Sequence, residues 1–204
     1  IQEPALADEQ SVFMFHEKEY VELVKKASER GGVMLDRGDT PAFKGVFEAS
    51  SYVVGSTLAA IDQVMTGKDN RGRTIEHAFN PIGGLHHAMK DSAGGFCVFN
   101  DIGVAIRLLR DKYGLKRIAY VDIDAHHGDG VFYEFEDDPM LFIGDIHENG
   151  AYLFPGTGFA YETGSGKAEG TKLNIPLEPG STDSEFMAAF DKVEKFIDQI
   201  AKPE

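Results

Sequence analysis

The stretch Arg117 to Gly130, RIAYVDIDAHHGDG, decides the fold. Its first half is a run of apolar, aromatic and β-branched residues, which reads as a strand from Arg117 to Asp124. Alternate side chains of a strand face the same way, so Asp122, Asp124 and His126 share one side. Val121, Ile123 and Ala125 are expected to pack on the other. Gly128 and Gly130 then let the backbone turn closely around whatever the polar groups hold.

Outward from this stretch, helical and extended patterns alternate. Upstream, Asn100 is a helix cap, and Ile102, Ala105, Ile106 and Leu109 recur at helical spacing towards Tyr113. Downstream, Met140 to His147 and Thr171 to Leu177 read as further strands. Ser181 is the expected cap of a closing helix with Phe186, Ala189, Phe190, Val193, Phe196, Ile197 and Ile200 on one face. Near the start, Glu17 to Glu29 makes a surface helix that buries Tyr20, Leu23, Val24 and Ala27 and ends at Gly31-Gly32. Val46 to Met65 makes another, rich in small residues, with Gly67 as its stop. After a polar loop, KDNRGRT, the segment HAFNPIGGLHH reads as a short strand entering a functional loop. Strands alternating with helices imply an α/β fold with a mainly parallel sheet, whose sites gather at the carboxyl ends of the strands.

A chain of 204 residues is long enough for one domain with its own core. Lys and Arg number 20 against 34 Asp and Glu, a formal net charge of −14 with no basic cluster, which argues against nucleic acid and anionic membranes as partners. Such a field serves solubility and favours cationic substrates. Cys97 is the single cysteine and no bilayer-spanning run or signal-peptide pattern is visible, so a reducing cytoplasm is the expected compartment. The segment GSGKAEG, Gly164 to Gly170, lacks the first glycine and the Ser/Thr of a phosphate loop, so nucleotide binding is not expected.

The chemistry lies in two histidine pairs. Asp124 and His126, two residues apart, suit a zinc ion that accepts mixed nitrogen and oxygen donors. A catalytic zinc takes about three protein ligands, so another must come from elsewhere; Asp122 is better placed behind the site or near a second cation. His86-His87, flanked by Gly83-Gly84 and Gly94-Gly95, suits acid/base hydrolysis beside a metal, provided that carboxylates orient the rings. Asp122 and Asp129 are available for that.

Taken together, GGLHHAM, GGFCVFND, YVDIDAHHGDGV and FPGTG, in this order, strongly resemble the zinc-dependent histone deacetylase superfamily. The likeness is nearest to bacterial acetoin-utilisation and acetylpolyamine deacetylases, and the flanks FHEKEYV and TKLNIPL share it. The resemblance implies a three-layer arginase/deacetylase-like α/β fold, with residues 1–204 forming a single, partial domain that lacks the family's C-terminal strands. It implies that Asp124 and His126 bind zinc and that His86 and His87 are the tandem catalytic histidines, paired with Asp122 and Asp129. His87 is then the general base towards water and the acid towards the leaving amine, while His86 stabilises charge. Gly95, Phe96 and Phe154 match the tunnel that holds the alkyl chain of an acetylated lysine or polyamine, and Cys97 a cysteine behind the site. A potassium ion is implied near Asp122, with Asp145 standing where the family has serine.

Other features of the family pattern have no counterpart here. No D-x-x-x-x-D-P segment, which carries the family's third zinc ligand, follows residue 130. The C-terminal glycine-rich segment with its carbonyl-polarising tyrosine or histidine and the opening strand with His-Pro are also missing. With Ile1 as the first residue, the expectation is part of a longer enzyme, a poor catalyst by itself. An acyl-lysine-binding module without turnover and a metal-dependent phosphohydrolase are the competing readings.

Overall fold

The computed structural model describes Glu3, residues 5–68 and residues 71–204. Ile1 lies outside the described residues, as do Asp69 and Asn70 of the loop KDNRGRT. The chain forms two compact units, Ile1–Gly114 and Leu115–Glu204.

The first unit is mostly helical. Helix α1, Glu9–Val12, starts at Asp8, whose Oδ1 accepts the Ser11 N–H at 2.8 Å. Helix α2, Lys18–Arg30, buries Tyr20, Val21, Val24 and Ala27. Leu23, expected on that face, is 52% exposed because Val21 completes the apolar stripe instead. Strands β1, Val33–Met34, and β2, Pro41–Ala42, pair antiparallel across a turn in which Asp36 Oδ1 accepts the N–H groups of Gly38, Asp39 and Thr40. Helix α3, Val46–Thr66, ends at the expected Gly67 and packs against helix α4, Asp101–Asp111. The Asn100 side chain caps α4 by accepting the Gly103 N–H at 2.8 Å. Phe99, fully buried, sits amid the rings of His16, Tyr20 and Phe47.

No strand forms over residues 77–87. Phe79 is 86% exposed, and the amides of Gly84 and Leu85 bond to the Asp101 carboxylate instead of a ladder partner. A carboxylate from α4 has therefore replaced the neighbouring strand that this apolar run anticipates.

The second unit is a three-stranded parallel sheet in the order β3-β4-β5. Its strands are β3, Ile118–Asp122; β4, Leu141–Glu148; and β5, Lys172–Leu177. A short helix α5, Asp129–Glu134, lies between β3 and β4. Helix α6, Asp183–Phe196, packs on β4 and β5 and buries Ala189 and Val193 against Ile146 and Ile175. Its cap is Thr182, one residue beyond the expected Ser181, because Glu185 completes a reciprocal capping box with Thr182. Strand β3 also stops earlier than expected. The Asp122 and Asp124 carboxylates accept the N–H groups of Asp124 and His126 at 3.0 and 2.8 Å, curling the chain out of the ladder. Val121 and Ile123, expected to pack inward, are 41% and 59% exposed, Val121 although it keeps its ladder partner Gly144.

Candidate active site

The first unit contributes the tandem histidines. His86 and His87 are both buried, with ring centroids 4.1 Å apart. They are followed by a hairpin in which Gly94 and Cys97 exchange backbone hydrogen bonds at 3.1 and 2.8 Å. Its two tip residues, Gly95 and Phe96, both have left-handed backbones, with φ of 52° and 65°. Glycine takes that conformation freely, whereas Phe96 does so at a cost of about 1 kcal/mol or more. Phe96 is nevertheless 76% exposed, so its ring gains little from burial to offset the strain. Its N–H donates to Thr40 Oγ1 at 3.1 Å, and that hydroxyl donates to Asp36 Oδ2 at 2.7 Å. A strained backbone that presents an aromatic ring to solvent is a feature of binding sites rather than of cores. Cys97 beside it is buried.

The second unit contributes the aspartate-rich turn at the carboxyl end of β3, where sites collect in parallel sheets. Asp122 is buried and accepts a hydrogen bond from the Tyr120 hydroxyl. Beyond it, Asp124 Oδ1 and His126 Nδ1 stand 3.0 Å apart. Two donors on one tetrahedral zinc with bonds of about 2.0–2.1 Å are roughly 3.3 Å apart. The carboxylate and imidazole therefore fit a shared zinc in both chemistry and spacing. Among the described residues no three His, Cys, Asp or Glu side chains are placed to hold a metal together. Asp129 begins α5, and Phe154 lies with its ring 6.3 Å from that of His126, nearly edge-on.

Asp145 is the register partner of Asp122 on β4. Its Oδ1 lies 2.6 Å from His147 Nδ1, and its Oδ2 accepts the Gly128 N–H at 3.0 Å. His147 Nε2 donates to the Gly158 carbonyl at 2.8 Å, so both ring nitrogens face oxygen atoms, an arrangement that favours the protonated ring. Burial pulls the His147 pKa down, but the hydrogen bond and charge of Asp145 outweigh it and the net direction is up. Burial and the charge of Asp122 raise the Asp145 pKa, and although the His147 hydrogen bond opposes them the net direction is up. The Gly128 N–H pointing at its second oxygen favours the ionised form. The pair ties β4 to the turn after His126 and to the FPGTG segment. Sequence reading missed His147, although its i, i+2 spacing from Asp145 on one strand is the signal that finds it.

His86, His87, Gly95 and Phe96 thus belong to the first unit, and Asp122, Asp124, His126, Asp129, Asp145 and Phe154 to the second. Each group is local to its unit.

All of residues 1–204 match the family model for the histone deacetylase domain. The acetoin utilization protein AcuC of Bacillus subtilis (strain 168) is 44% identical over 194 residues, covering 92% of this chain and 48% of its own. AcuC of Staphylococcus xylosus is 34% identical over 98% of this chain and 52% of its own. Among solved structures, an HDAC homolog complexed with SAHA superposes with a TM-score of 0.87 at 36% identity, covering 98% of this chain and 54% of that one. An HDAC homolog from Aquifex aeolicus gives 0.86 at the same identity. The chain spans about half the length of the curated relatives it matches. With its α/β architecture, parallel sheet and aspartate–histidine turn at the end of β3, the chain belongs to the histone deacetylase family.

Proposed function

We propose that the protein is a zinc-dependent amidohydrolase that removes acetyl groups from an amine, with acetyl-lysine or an acetylated polyamine as substrate. The observation that carries this reading is the Asp124–His126 donor pair, 3.0 Å apart at the carboxyl end of a parallel strand. When bound, zinc supplies Lewis acidity, polarising the amide carbonyl and acidifying a water. Asp124 and His126 provide two of its ligands, and the third belongs to a family segment that has no counterpart in these 204 residues.

The remaining work falls to the side chains. His87 takes a proton from the attacking water and returns it to the leaving nitrogen, so that acetate and free amine depart. His86 stabilises charge as the carbonyl carbon becomes tetrahedral. By the family resemblance, Asp122 and Asp129 are the carboxylates that serve the two imidazoles, and Gly95, Phe96 and Phe154 are the residues that serve the substrate's alkyl chain. The net charge of −14 is compatible with a cationic amine product. A nearby potassium ion would draw on Asp122 and Asp145, register partners on β3 and β4. The single cysteine is compatible with a cytoplasmic location, and no described helix is long and apolar enough to cross a membrane.

The test uses the full-length protein with an acetyl-lysine peptide and with acetylated polyamines. Metal analysis is expected to find stoichiometric zinc, SAHA to inhibit, and His87→Ala to lower kcat by about 100-fold or more. Zinc-dependent turnover that survives His87→Ala unchanged would sink the mechanism. Acyl-lysine binding without zinc would favour a binding module, and phosphoester cleavage a phosphohydrolase.

A further inference from the structure

Two consecutive residues at the start of α4 hold the backbone on either side of the histidine pair. Before it, the Asp101 carboxylate accepts the Gly84 N–H at 3.1 Å and the Leu85 N–H at 2.8 Å. After it, Asn100 Nδ2 donates to the Ala88 carbonyl at 2.9 Å. Both side chains are almost wholly buried, at 1% and 0% exposure. Asp101 is itself held by Thr57, whose hydroxyl donates to Oδ2 at 2.6 Å and accepts from Asn80 Nδ2 at 2.8 Å. Gly83 approaches so closely that a β-carbon there would stand 2.6 Å from Asp101 Oδ2.

We propose that Asn100 and Asp101 are positioning residues, a two-point clamp that fixes His86 and His87 for proton transfer. This rests on the reading of those histidines as the acid/base pair. The loop carrying them has no ladder hydrogen bonds and contains Gly83-Gly84, so side-chain bonds supply the rigidity that a strand would otherwise give. Proton transfer tolerates little misplacement, whereas binding of the alkyl chain falls to other residues. Loosening the clamp therefore affects turnover more than affinity.

Asn100 offers a clean separation of clamp from scaffold. Its Oδ1 caps α4 by accepting the Gly103 N–H, while only its Nδ2 reaches the loop. Asn100→Asp keeps the cap acceptor and turns an oxygen towards the Ala88 carbonyl. In the full-length protein this variant is expected to fold, keep KM within about twofold and lose about 10- to 100-fold in kcat. Thr57→Val is expected to lower kcat less, and Thr57→Ser, which keeps the hydroxyl, to recover most of that loss. Independently of activity, Asp101→Asn is expected to speed hydrogen exchange at the Gly84 and Leu85 amides relative to those inside α4, and Asn100→Asp to shift the His86 and His87 ring resonances. Unchanged kcat in Asn100→Asp, or unchanged exchange and resonances, would overturn the clamp. So would a loss of activity that only tracks the folded fraction. An inert wild type, or a fully active His87→Ala, would overturn the proposed function instead, and the exchange and resonance measurements then decide the clamp alone.

Discussion

His16 is 2% exposed, and its bonding fixes its protonation. Nε2 accepts the Asn100 N–H at 2.8 Å, so that nitrogen carries no proton, while Nδ1 faces the Lys90 carbonyl at 3.3 Å and donates to it. Burial holds the ring neutral by lowering its pKa to about 4, against the opposing pull of the Lys90 and Met89 carbonyls. The unfolded value is about 6.5, so unfolding takes up a proton between these values. The stabilisation is complete above pH ~6.5 and is lost as pH falls towards 4, a contribution of about 3 kcal/mol. Urea midpoints measured from pH 8 to 4.5 are expected to be flat at first and then to fall. In His16→Gln, which cannot ionise, the fall is expected to be shallower. Equal pH dependence in both proteins would refute this role. The residue matters beyond stability, because the Asn100 amide that it accepts belongs to the side of α4 facing the histidine loop.

Between elements, α6 packs closely where it crosses the sheet. Gly144, in the middle of β4, has no side chain because Val193 of α6 occupies that space: a β-carbon there would stand 2.7 Å from Val193 Cγ1. Gly144→Ala is therefore expected to destabilise by about 1–3 kcal/mol through overpacking. Val193→Ala alone leaves a cavity among Ile146, Ile175 and Ala189 and is expected to cost a similar amount. The double variant is expected to be more stable than the sum of the singles predicts, since each change relieves the other, and denaturant unfolding of all four proteins measures that coupling. Strict additivity would mean that the sheet shifts to absorb the methyl group.

The same elements separate what was legible in the sequence from what was not. Helix α6, helix α4 and the three parallel strands were readable because their apolar spacing agrees with how they pack. The aspartate–histidine turn was readable because its donors are close in sequence. The segment over residues 77–87 was not, because its conformation depends on Asp101, remote in sequence, and an apolar run cannot announce a carboxylate as its partner. The early end of β3 was hidden for a related reason. Asp122 and Asp124 read in sequence as ligands, although they also accept nearby backbone N–H groups.

At the scale of the whole molecule, the two histidine-bearing groups belong to separate compact units, and the sequence motifs assign each a different task. In the proposed mechanism the tandem histidines handle protons, and the aspartate–histidine turn handles the metal. The second task is the more sensitive to ligand number, because a zinc held by two protein donors must complete its coordination with water. Weakening even a group that orients a ligand costs about 10- to 100-fold in metal affinity, so lacking a ligand outright costs on the order of 100-fold or more. A polypeptide of these 204 residues is therefore expected to lose zinc to a competing chelator that the full-length protein resists, and to deacetylate poorly. Zinc competition titrations of both proteins provide the measurement, with Asp124→Ala and His126→Ala as controls that remove the remaining donors. If the 204-residue polypeptide holds one zinc as tightly as the full-length protein and loses it in either variant, the third ligand lies within these residues. Equal zinc retention by the wild-type polypeptide and both variants would place the metal elsewhere and overturn the assignment of Asp124 and His126.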